Sequence, residues 1–520
     1  MRILKKLLSV NKYILLFLAA LALAASFYIK STYDVKTFEQ YLYTIMKAEG
    51  TGVDSIKGGI IIGVIATLVV FVIFMLPIFA RKLKTKYFVN VSFCGKTKAV
   101  AIGHVEHKLR YSIVVFVACI AVALRNFGVF EYLANQIIYS PFYEENYVDP
   151  KSVKISFPKK KRNLIFIFTE SLEASAASKA GGGDRTRSYI PKLEELATEN
   201  INFSNSSKLG GAIQVAGTDY TVAGMVAQTA GINMKVDIYG NNYSGYSSSF
   251  GGVTNLGDIL KSNGYKNYIM MGSAAKFGGR DEYFIQHGDY EIFDLVSARE
   301  SGKLPKDYRV WWGFEDKKLF GFAKEQLNEI SQNDEPFNLT LLTADTHFQD
   351  GYVEEGCPKP FGDNQYANVY SCTDSMISDF VEWVKTQPFY ENTTIVIVGD
   401  HLTMQRNFMD ENSQYVRGIY NVFINSPVQA QNEKNRIFTS MDIFPTTLAA
   451  LGAKIEGDRL AIGTNLFSSR KTLAEEMGVE ALESELRKRS IFYNNTILGE
   501  SYYEMQERME EDSVPAGYDY

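Results

Sequence analysis

The run from Thr394 to Val398 is the stretch that most limits what this chain can fold into. It is short, rich in β-branched residues and free of charge, so it predicts a strand buried inside a sheet with both faces covered. The run ends abruptly in Gly399, Asp400 and His401. Ligands in open α/β sheets bind at the carboxyl ends of strands, where Asp and His offer oxygen and nitrogen donors to a divalent metal. A capping Asp followed by an incidental His is the alternative, and this run alone does not decide between the two.

The second half of the chain alternates apolar strands with amphipathic helices. Strands joined through helices usually run parallel and need helices on both faces of their sheet. We therefore predict one α/β domain over residues 163–490, with a mostly parallel central sheet covered on both faces. The predicted strands cover residues 163–169, 265–271, 337–343, 394–398 and 420–425, and the predicted helices cover residues 190–200, 258–263, 315–330, 374–386 and 442–451.

Long apolar runs near the amino terminus predict a membrane domain over residues 1–138. Three spans are expected, over residues 13–29, 58–80 and 111–133, because about 20 mostly apolar residues cross a bilayer as a helix. The first run is also compatible with a signal peptide, although no convincing cleavage site follows it. The third run reaches bilayer length only by including two charged residues, so a re-entrant or buried helix is its alternative.

Charged residues around these runs predict the orientation of the membrane domain. Residues 81–110 carry eight Lys and Arg residues against one Glu, whereas four Lys and four acidic residues balance each other over residues 30–57. Cytoplasmic loops are enriched in Lys and Arg, so we expect residues 81–110 inside and everything after about residue 140 outside. The basic run Lys159–Arg162 opposes this orientation but lies far from the third span. Over the whole chain, 54 basic against 59 acidic residues argue against nucleic acid as the main partner.

Two segments frame the predicted exported domain, and one cysteine pair lies inside it. Residues 139–162 are aromatic and punctuated by proline, which predicts a linker along the membrane surface, and residues 491–520 predict an acidic tail. Cys357 and Cys372 form an even pair in a loop-rich stretch. In an oxidising compartment such a pair indicates one disulfide, and two unpaired thiols are the alternative.

The segment Gly217–Met225 also has features of a functional site. Its small and hydroxyl residues lead into a helix-like run, which places Thr221 near the amino terminus of a predicted helix. Free N–H groups and the helix dipole favour an anionic phosphate at such a position. An ordinary Thr cap is the alternative, and only the other motifs of the chain favour a catalytic role.

Several short motifs follow one another in a fixed order between Asn163 and Phe467. In chain order they are Glu170-Ser171 after an apolar strand, Gly217-Thr218, Thr221-Val222-Ala223-Gly224-Met225-Val226-Ala227, Leu256-Gly257-Asp258-Ile259-Leu260, Gly264-Tyr265, Arg280-Asp281, Asp345-Thr346-His347, Asp350-Gly351, Cys357, Cys372, Asp400-His401 and Asp442-Ile443-Phe444-Pro445-Thr446. The ordered set resembles the alkaline-phosphatase and sulfatase superfamily, and within it phosphoglycerol transferase I and the lipoteichoic acid synthases. The Asp-Thr-His motif and the Ala-Gly-Met-Val-Ala run look closer to phosphoglycerol transferase I, a periplasmic glucan-modifying enzyme. The resemblance implies a sulfatase-like fold for the exported domain.

The resemblance also implies a metal-dependent site. The metal ligands of the family fall on Glu170, Thr221, Asp400 and His401, and its nucleophile falls on Thr221. Two carboxylates and one imidazole suit either Mn²⁺ or Zn²⁺, and such a cation stabilises the alkoxide of a threonine.

Two further residues match the substrate pocket of the family. Arg280 matches the position that holds the substrate phosphate, a task that suits a planar guanidinium. His347 matches a substrate-pocket histidine and is also a candidate for the acid that protonates the leaving alkoxide. An aromatic residue that precedes this arginine in the lipoteichoic acid synthases is Gly278 here, so the acceptor is the least defined part of the resemblance. His287 has no motif around it and is predicted to be structural.

The function implied by the resemblance is phosphoglycerol transfer at the bacterial inner membrane, with the catalytic domain outside. Phosphatidylglycerol would be the donor and a periplasmic or cell-surface glycan the acceptor, through a phosphothreonine intermediate. A phosphoethanolamine transferase is one alternative, although such pockets are usually richer in histidine. A non-catalytic binding module is another, although every ligand position is filled. A sulfatase is excluded because no Cys or Ser is followed by x-Pro-x-Arg.

Overall fold

A computed structural model describes most of the chain. The described residues are 2–32, 37–46, 57–79, 87–93, 96–102, 108–235, 250–410 and 413–499. Most of the predicted acidic tail, residues 500–520, therefore lies outside the described residues. The chain divides into two compact units, one of residues 1–38 and 52–133, the other of residues 39–51 and 134–520.

The helices and strands are numbered in chain order. The helices are α1 Arg2–Thr32, α2 Phe38–Met46, α3 Lys57–Phe79, α4 Lys108–Asn126, α5 Val129–Ile137, α6 Phe142–Asn146, α7 Pro191–Glu199, α8 Thr221–Ala230, α9 Leu256–Ser262, α10 Arg280–Gln286, α11 Leu295–Glu300, α12 Asp316–Ile330, α13 Gln365–Lys385, α14 Ile443–Ala450, α15 Leu473–Met477 and α16 Val479–Arg487. The strands are β1 Tyr87–Phe93, β2 Lys96–Ile102, β3 Ile155–Ser156, β4 Asn163–Thr169, β5 Gly211–Ala212, β6 Lys266–Met271, β7 Glu291–Phe293, β8 Phe337–Leu342, β9 Thr393–Gly399, β10 Ile419–Ile424, β11 Lys454–Ile455, β12 Arg459–Leu460 and β13 Gly463–Thr464.

The first unit contains three helices that, among the described residues, are long and apolar enough to cross a membrane. The candidate spans are Asn11–Thr32 in α1, Gly59–Ile78 in α3 and Lys108–Asn126 in α4. The third span differs from the predicted residues 111–133, because the chain turns at Gly128 and a separate helix begins at Val129. Gly128 has a φ of 74°, a conformation that glycine adopts without a Cβ clash.

The second unit is built on a sheet that, in the described residues, has the strand order β5-β10-β9-β4-β8-β6-β7. The five strands β9, β4, β8, β6 and β7 run parallel to one another, and β10 pairs antiparallel with both β9 and β5. The predicted α/β domain with a mostly parallel sheet is therefore confirmed.

Both faces of the central strand β4 are covered, as its apolar run predicts. Leu164, Phe166 and Phe168 point into one apolar core, which includes residues of α8 and α14. Ile165 and Ile167 point into a second core on the other face, which includes residues of α7, α12 and α13. Because both faces are buried, the strand is apolar at consecutive positions rather than at alternate ones.

Part of the segment predicted as a linker along the membrane surface, residues 139–162, packs into the second unit. Phe142 and Tyr143 in α6 are 4% and 1% exposed and belong to the same apolar core as α8. These two aromatic residues are thus core residues, whereas Tyr139 of the same segment is 49% exposed.

Candidate active site

Two neighbouring parallel strands bring the predicted carboxylates together. Thr169 at the end of β4 is in register with Gly399 at the end of β9. Glu170 and Asp400 therefore leave the sheet side by side, and His401 follows. All three are buried, with exposures of 3%, 0% and 0%.

Helix α8 brings Thr221 to the same point. Its hydroxyl oxygen Oγ1 lies 3.1 Å from Glu170 Oε2 and 3.5 Å from His401 Nε2. Thr221 is the first residue of α8, as predicted, and Tyr220 occupies the cap position without a side-chain cap bond. Thr221 is also only partly buried, so its hydroxyl is the accessible member of a buried group.

The donor atoms of this group fit a divalent cation. One donor each from Glu170, Asp400 and His401 lies within 4.8 Å of the other two, as the ligands of a single ion must. Asp400 Oδ1 accepts hydrogen bonds from Ser171 N and His401 N, whereas its Oδ2 is buried without a hydrogen-bond partner among the described residues. An orphaned carboxylate oxygen facing other donors is what a metal site without its ion presents.

The protonation of His401 also suits metal binding. Its Nδ1 lies 2.8 Å from the carbonyl oxygen of Leu402, which can only accept, so Nδ1 carries the proton. The lone pair of Nε2 is left to face Glu170 Oε1 and Asp400 Oδ2, each 3.5 Å away. A backbone partner that fixes the imidazole tautomer in this way is a usual feature of metal-binding histidines.

Burial and the mutual repulsion of the carboxylates shift the pKa values within this group. Burial, reinforced by the charge of Glu170, raises the pKa of Asp400 to about 7. Burial opposes ionisation of Glu170, but His347 and His401 outweigh it, so its pKa is lowered. Burial also opposes the charge on His401, but Asp400 and Glu170 prevail and raise its pKa. A bound cation would relieve the repulsion between the two carboxylates.

Of the predicted substrate residues, His347 interacts electrostatically with Glu170, and Arg280 interacts with His347. The charge of His347 lowers the pKa of Glu170. Burial lowers the pKa of His347, and the charges of His401 and Arg280 act in the same direction against the opposing charge of Glu170. Arg280 opens α10, is 4% exposed and donates through Nη2 to Ser273 Oγ at 3.0 Å.

An aromatic contact between Trp312 and His347 was not predicted from the sequence. The ring of Trp312 lies 4.5 Å from that of His347, between centroids. Phe277, three residues before Arg280, lies 5.5 Å from Trp312. The adjacent tryptophans at 311 and 312 were the only available signal, and nothing in their sequence neighbourhood connects them to His347.

The two remaining predictions concern residues outside the group. Cys357 and Cys372 form the predicted disulfide, with Cα atoms 5.8 Å apart. The bond ties the loop that follows His347 to helix α13. His287 is 3% exposed, and its Nδ1 lies 2.9 Å from Asp258 Oδ2. Asp258 also forms a capping box with Asn255 at the start of α9. This pairing accords with a structural role for His287.

The part of the chain that carries this site is similar to known proteins. The sulfatase family model matches residues 162–453, more than half of the chain. Phosphoglycerol transferase I of Citrobacter koseri is 35% identical over 272 residues, which cover 51% of this chain and 33% of that protein. Phosphoglycerol transferase I of Escherichia fergusonii is 36% identical over 257 residues, which cover 48% and 32%. The match thus spans about a third of the length of these relatives.

Among solved structures, the integral membrane protein lipooligosaccharide phosphoethanolamine transferase A of Neisseria meningitidis is similar over 85% of this chain and 84% of its own. Its sequence identity is 14% and the TM-score is 0.48. The site residues described above all lie within the part of the chain that the family model matches, and by that match this chain belongs to the sulfatase family.

Proposed function

We propose that this chain transfers phosphoglycerol from phosphatidylglycerol to a periplasmic or cell-surface glycan through a covalent intermediate on Thr221. The observation that carries the proposal is the hydroxyl of Thr221, held 3.1 Å from Glu170 Oε2 at the accessible edge of a buried donor group. We infer the transferred group, phosphoglycerol, from the name of the matched relatives, phosphoglycerol transferase I.

The donor set of Glu170, Asp400, His401 and Thr221 would hold one divalent cation, Mn²⁺ or Zn²⁺. Such an ion supplies a positive charge that lowers the pKa of the threonine hydroxyl and neutralises charge on the phosphate. The protein does the remaining work by placing its own groups.

In the first half-reaction, Thr221 Oγ1 attacks phosphorus and its proton passes to Glu170 Oε2, the acceptor of its hydrogen bond. The bond between phosphorus and the diacylglycerol oxygen breaks, and protonated His347 gives its Nε2 proton to that oxygen. Arg280 holds the other phosphate oxygens through its planar guanidinium.

In the second half-reaction a glycan hydroxyl attacks the phosphothreonine. His347, now neutral, accepts the hydroxyl proton on Nε2, because its Nδ1 faces the carbonyl oxygen of Phe348 and carries the other proton. Burial lowers the pKa of His347, which favours the neutral form needed for this step. As the phosphorus–Oγ1 bond breaks, Glu170 returns the proton that it took in the first half-reaction, which regenerates the Thr221 hydroxyl.

The membrane part of the chain fits a substrate that stays in the bilayer. The first unit contributes three apolar helices long enough to cross a membrane, counted over the described residues. Residues 39–46, between the first two candidate spans, belong to the same compact unit as the catalytic residues. This supports an arrangement in which that loop and the catalytic domain share one side of the bacterial inner membrane, the outer side by the charge bias of the loops.

The full-length protein in liposomes tests this proposal. We expect diacylglycerol release from phosphatidylglycerol vesicles and, with a glucan oligosaccharide present, a glycan heavier by one phosphoglycerol group. Parallel vesicles of phosphatidylethanolamine separate the alternatives. Diacylglycerol release from phosphatidylethanolamine alone would show a phosphoethanolamine transferase, and no release from either lipid would favour a non-catalytic binding module.

A further inference from the structure

Two loops of the candidate site meet at one buried hydroxyl, that of Tyr366 in α13. The hydroxyl lies 2.8 Å from the carbonyl oxygen of Thr346 and 2.6 Å from Thr403 Oγ1. Thr346 precedes His347, and Thr403 follows His401 by two residues. All three hydrogen-bonded residues are at least 96% buried, with exposures of 4%, 0% and 1% for Tyr366, Thr346 and Thr403.

The donor and the acceptor of each hydrogen bond made by the Tyr366 hydroxyl can be assigned. A carbonyl oxygen only accepts, so Tyr366 donates its single proton to Thr346 O. The hydroxyl of Thr403 must then donate to Tyr366, and its oxygen accepts from Gln405 N at 3.1 Å. Burial raises the pKa of Tyr366, so the phenol keeps its proton over the working range of an enzyme.

This chain of hydrogen bonds continues from Thr346 to a third loop, the one that follows β4. Thr346 Oγ1 donates to the carbonyl oxygen of Glu170, the residue that leaves β4 at the metal group. On the other side, the ion pair of Glu173 and Arg417 holds the backbone of Thr403: its N–H is directed at Glu173 Oε2, and its carbonyl accepts from Arg417 Nη2 at 2.8 Å. The phenol thereby links the loops that follow β8 and β9, and the end of β4 joins the same chain of hydrogen bonds through Thr346.

We propose that Tyr366 is a positioning residue that sets the relative placement of Glu170, His347 and His401. Tyr366 touches none of the reacting atoms and acts through the loops that carry them. Removal of the phenol oxygen leaves a buried carbonyl without its donor and a buried hydroxyl without its acceptor, so both loops must shift to find new partners. Supporting residues of this kind typically change metal affinity or activity by about 10–100-fold when removed. The inference rests on the proposed function for its catalytic consequence, but its consequence for metal affinity stands apart from any substrate.

Tyr366→Phe in the full-length protein is the test, and Tyr265→Phe is its matched control. Tyr265 is also 4% exposed, and its hydroxyl donates at 2.8 Å to the carbonyl oxygen of Arg162, at the opposite end of β4. Both variants therefore lose a phenol oxygen that donates to a backbone carbonyl, and the oxygen of Tyr366 also accepts from Thr403. Affinity for Mn²⁺ and for Zn²⁺ is measured by titration against a chromophoric chelator, alongside the melting temperature and the rate of diacylglycerol release.

We expect Tyr366→Phe to lower metal affinity and turnover by about 10–100-fold, and Tyr265→Phe to change both by less than about twofold at a similar loss of melting temperature. Thr403→Val removes the other end of the bond and should have the same effect. The double variant should be no worse than either single variant, because all of them break one chain.

The inference and the proposed function fail in different ways. If Tyr366→Phe binds metal and turns over lipid within twofold of Tyr265→Phe, the positioning role is overturned even though lipid turnover stands. If the wild-type protein leaves both lipids intact but Tyr366→Phe weakens metal binding, the positioning role stands and the proposed function falls. A wild-type protein that binds neither cation overturns both.

Discussion

Gly224 of α8 lies directly against the backbone of Asp400. A Cβ built at residue 224 would be 2.1 Å from the Asp400 carbonyl oxygen, much closer than non-bonded atoms approach. One turn further along α8, Gln228 Nε2 donates to the carbonyl oxygens of Gly399 at 2.8 Å and Asp400 at 3.2 Å. The helix that presents Thr221 is thus held against the strand end that presents the carboxylate, and residue 224 must lack a side chain for this approach.

Gly224→Ala should therefore damage the fold and the site together. The backbone on which the methyl group would press cannot move without moving Asp400, and overpacking of this kind costs about 1–3 kcal/mol or more. Gly321→Ala is the control, since Gly321 also lies in a helix but has nothing within 4 Å of its Cβ position. The control should stabilise the protein by about 0.5–1 kcal/mol, because alanine is the better helix former. Thermal unfolding measures both, and equal melting temperatures for the two variants would contradict the packing described here.

The pKa of Asp400 predicts how pH affects the metal-free protein. Because the pKa is raised from 3.8 to about 7, the folded state holds the Asp400 proton more tightly than the unfolded state does. The stability contributed by this group is present below about pH 4 and is lost as pH rises towards 7. Asp400→Asn removes the charge, so in the presence of a chelator it should be more stable than the wild type at pH 8, by on the order of a few kcal/mol.

Bound metal should make the wild type more stable than Asp400→Asn at pH 8, the reverse of the order expected with chelator. Binding to the folded state raises the melting temperature of the wild type at pH 8, whereas Asp400→Asn should gain little. The measurement is thermal unfolding at pH 5 and pH 8, with chelator and with Mn²⁺ or Zn²⁺. A metal-free wild type whose stability relative to Asp400→Asn does not change between the two pH values would show that the burial of this carboxylate is not strained.

The disulfide between Cys357 and Cys372 should stabilise the second unit and the loop after His347. Closing a loop of about 15 residues contributes about 3 kcal/mol through the entropy of the unfolded chain. Cys357→Ser combined with Cys372→Ser should lower the melting temperature and reduce turnover more than it reduces metal affinity, because His347 is not among the metal donors. Reductant should affect the wild type but not this double variant. Identical unfolding of the two proteins without reductant would contradict the prediction.

The placement of Glu170 and Asp400 could be predicted from the sequence, because both follow apolar runs typical of central parallel strands and such strands bring their carboxyl ends to one edge. The position of Thr221 at a helix start could also be predicted, whereas the metal-binding role of these residues as a set was implied only by the family resemblance. The burial of Tyr143 could not be predicted in the same way, because an aromatic, proline-punctuated segment looks alike in a core and at a membrane surface. The positioning role of Tyr366 could not be predicted either, because its hydrogen bonds to Thr346 and Thr403 join residues that are distant in sequence and close only in the folded protein.

The central claim is that Thr221 forms a covalent intermediate, and peptide mass spectrometry tests it most directly. Wild-type protein is incubated with phosphatidylglycerol vesicles without acceptor, denatured in acid and digested. We predict one phosphoglycerol group on the peptide that contains Thr221, with diacylglycerol released in a burst. Thr221→Ala should fold normally, because the Thr221 hydroxyl is not the helix cap, and should carry no adduct and release no diacylglycerol. An unmodified wild-type peptide, together with a Thr221→Ala variant that turns over lipid at the wild-type rate, would contradict the account.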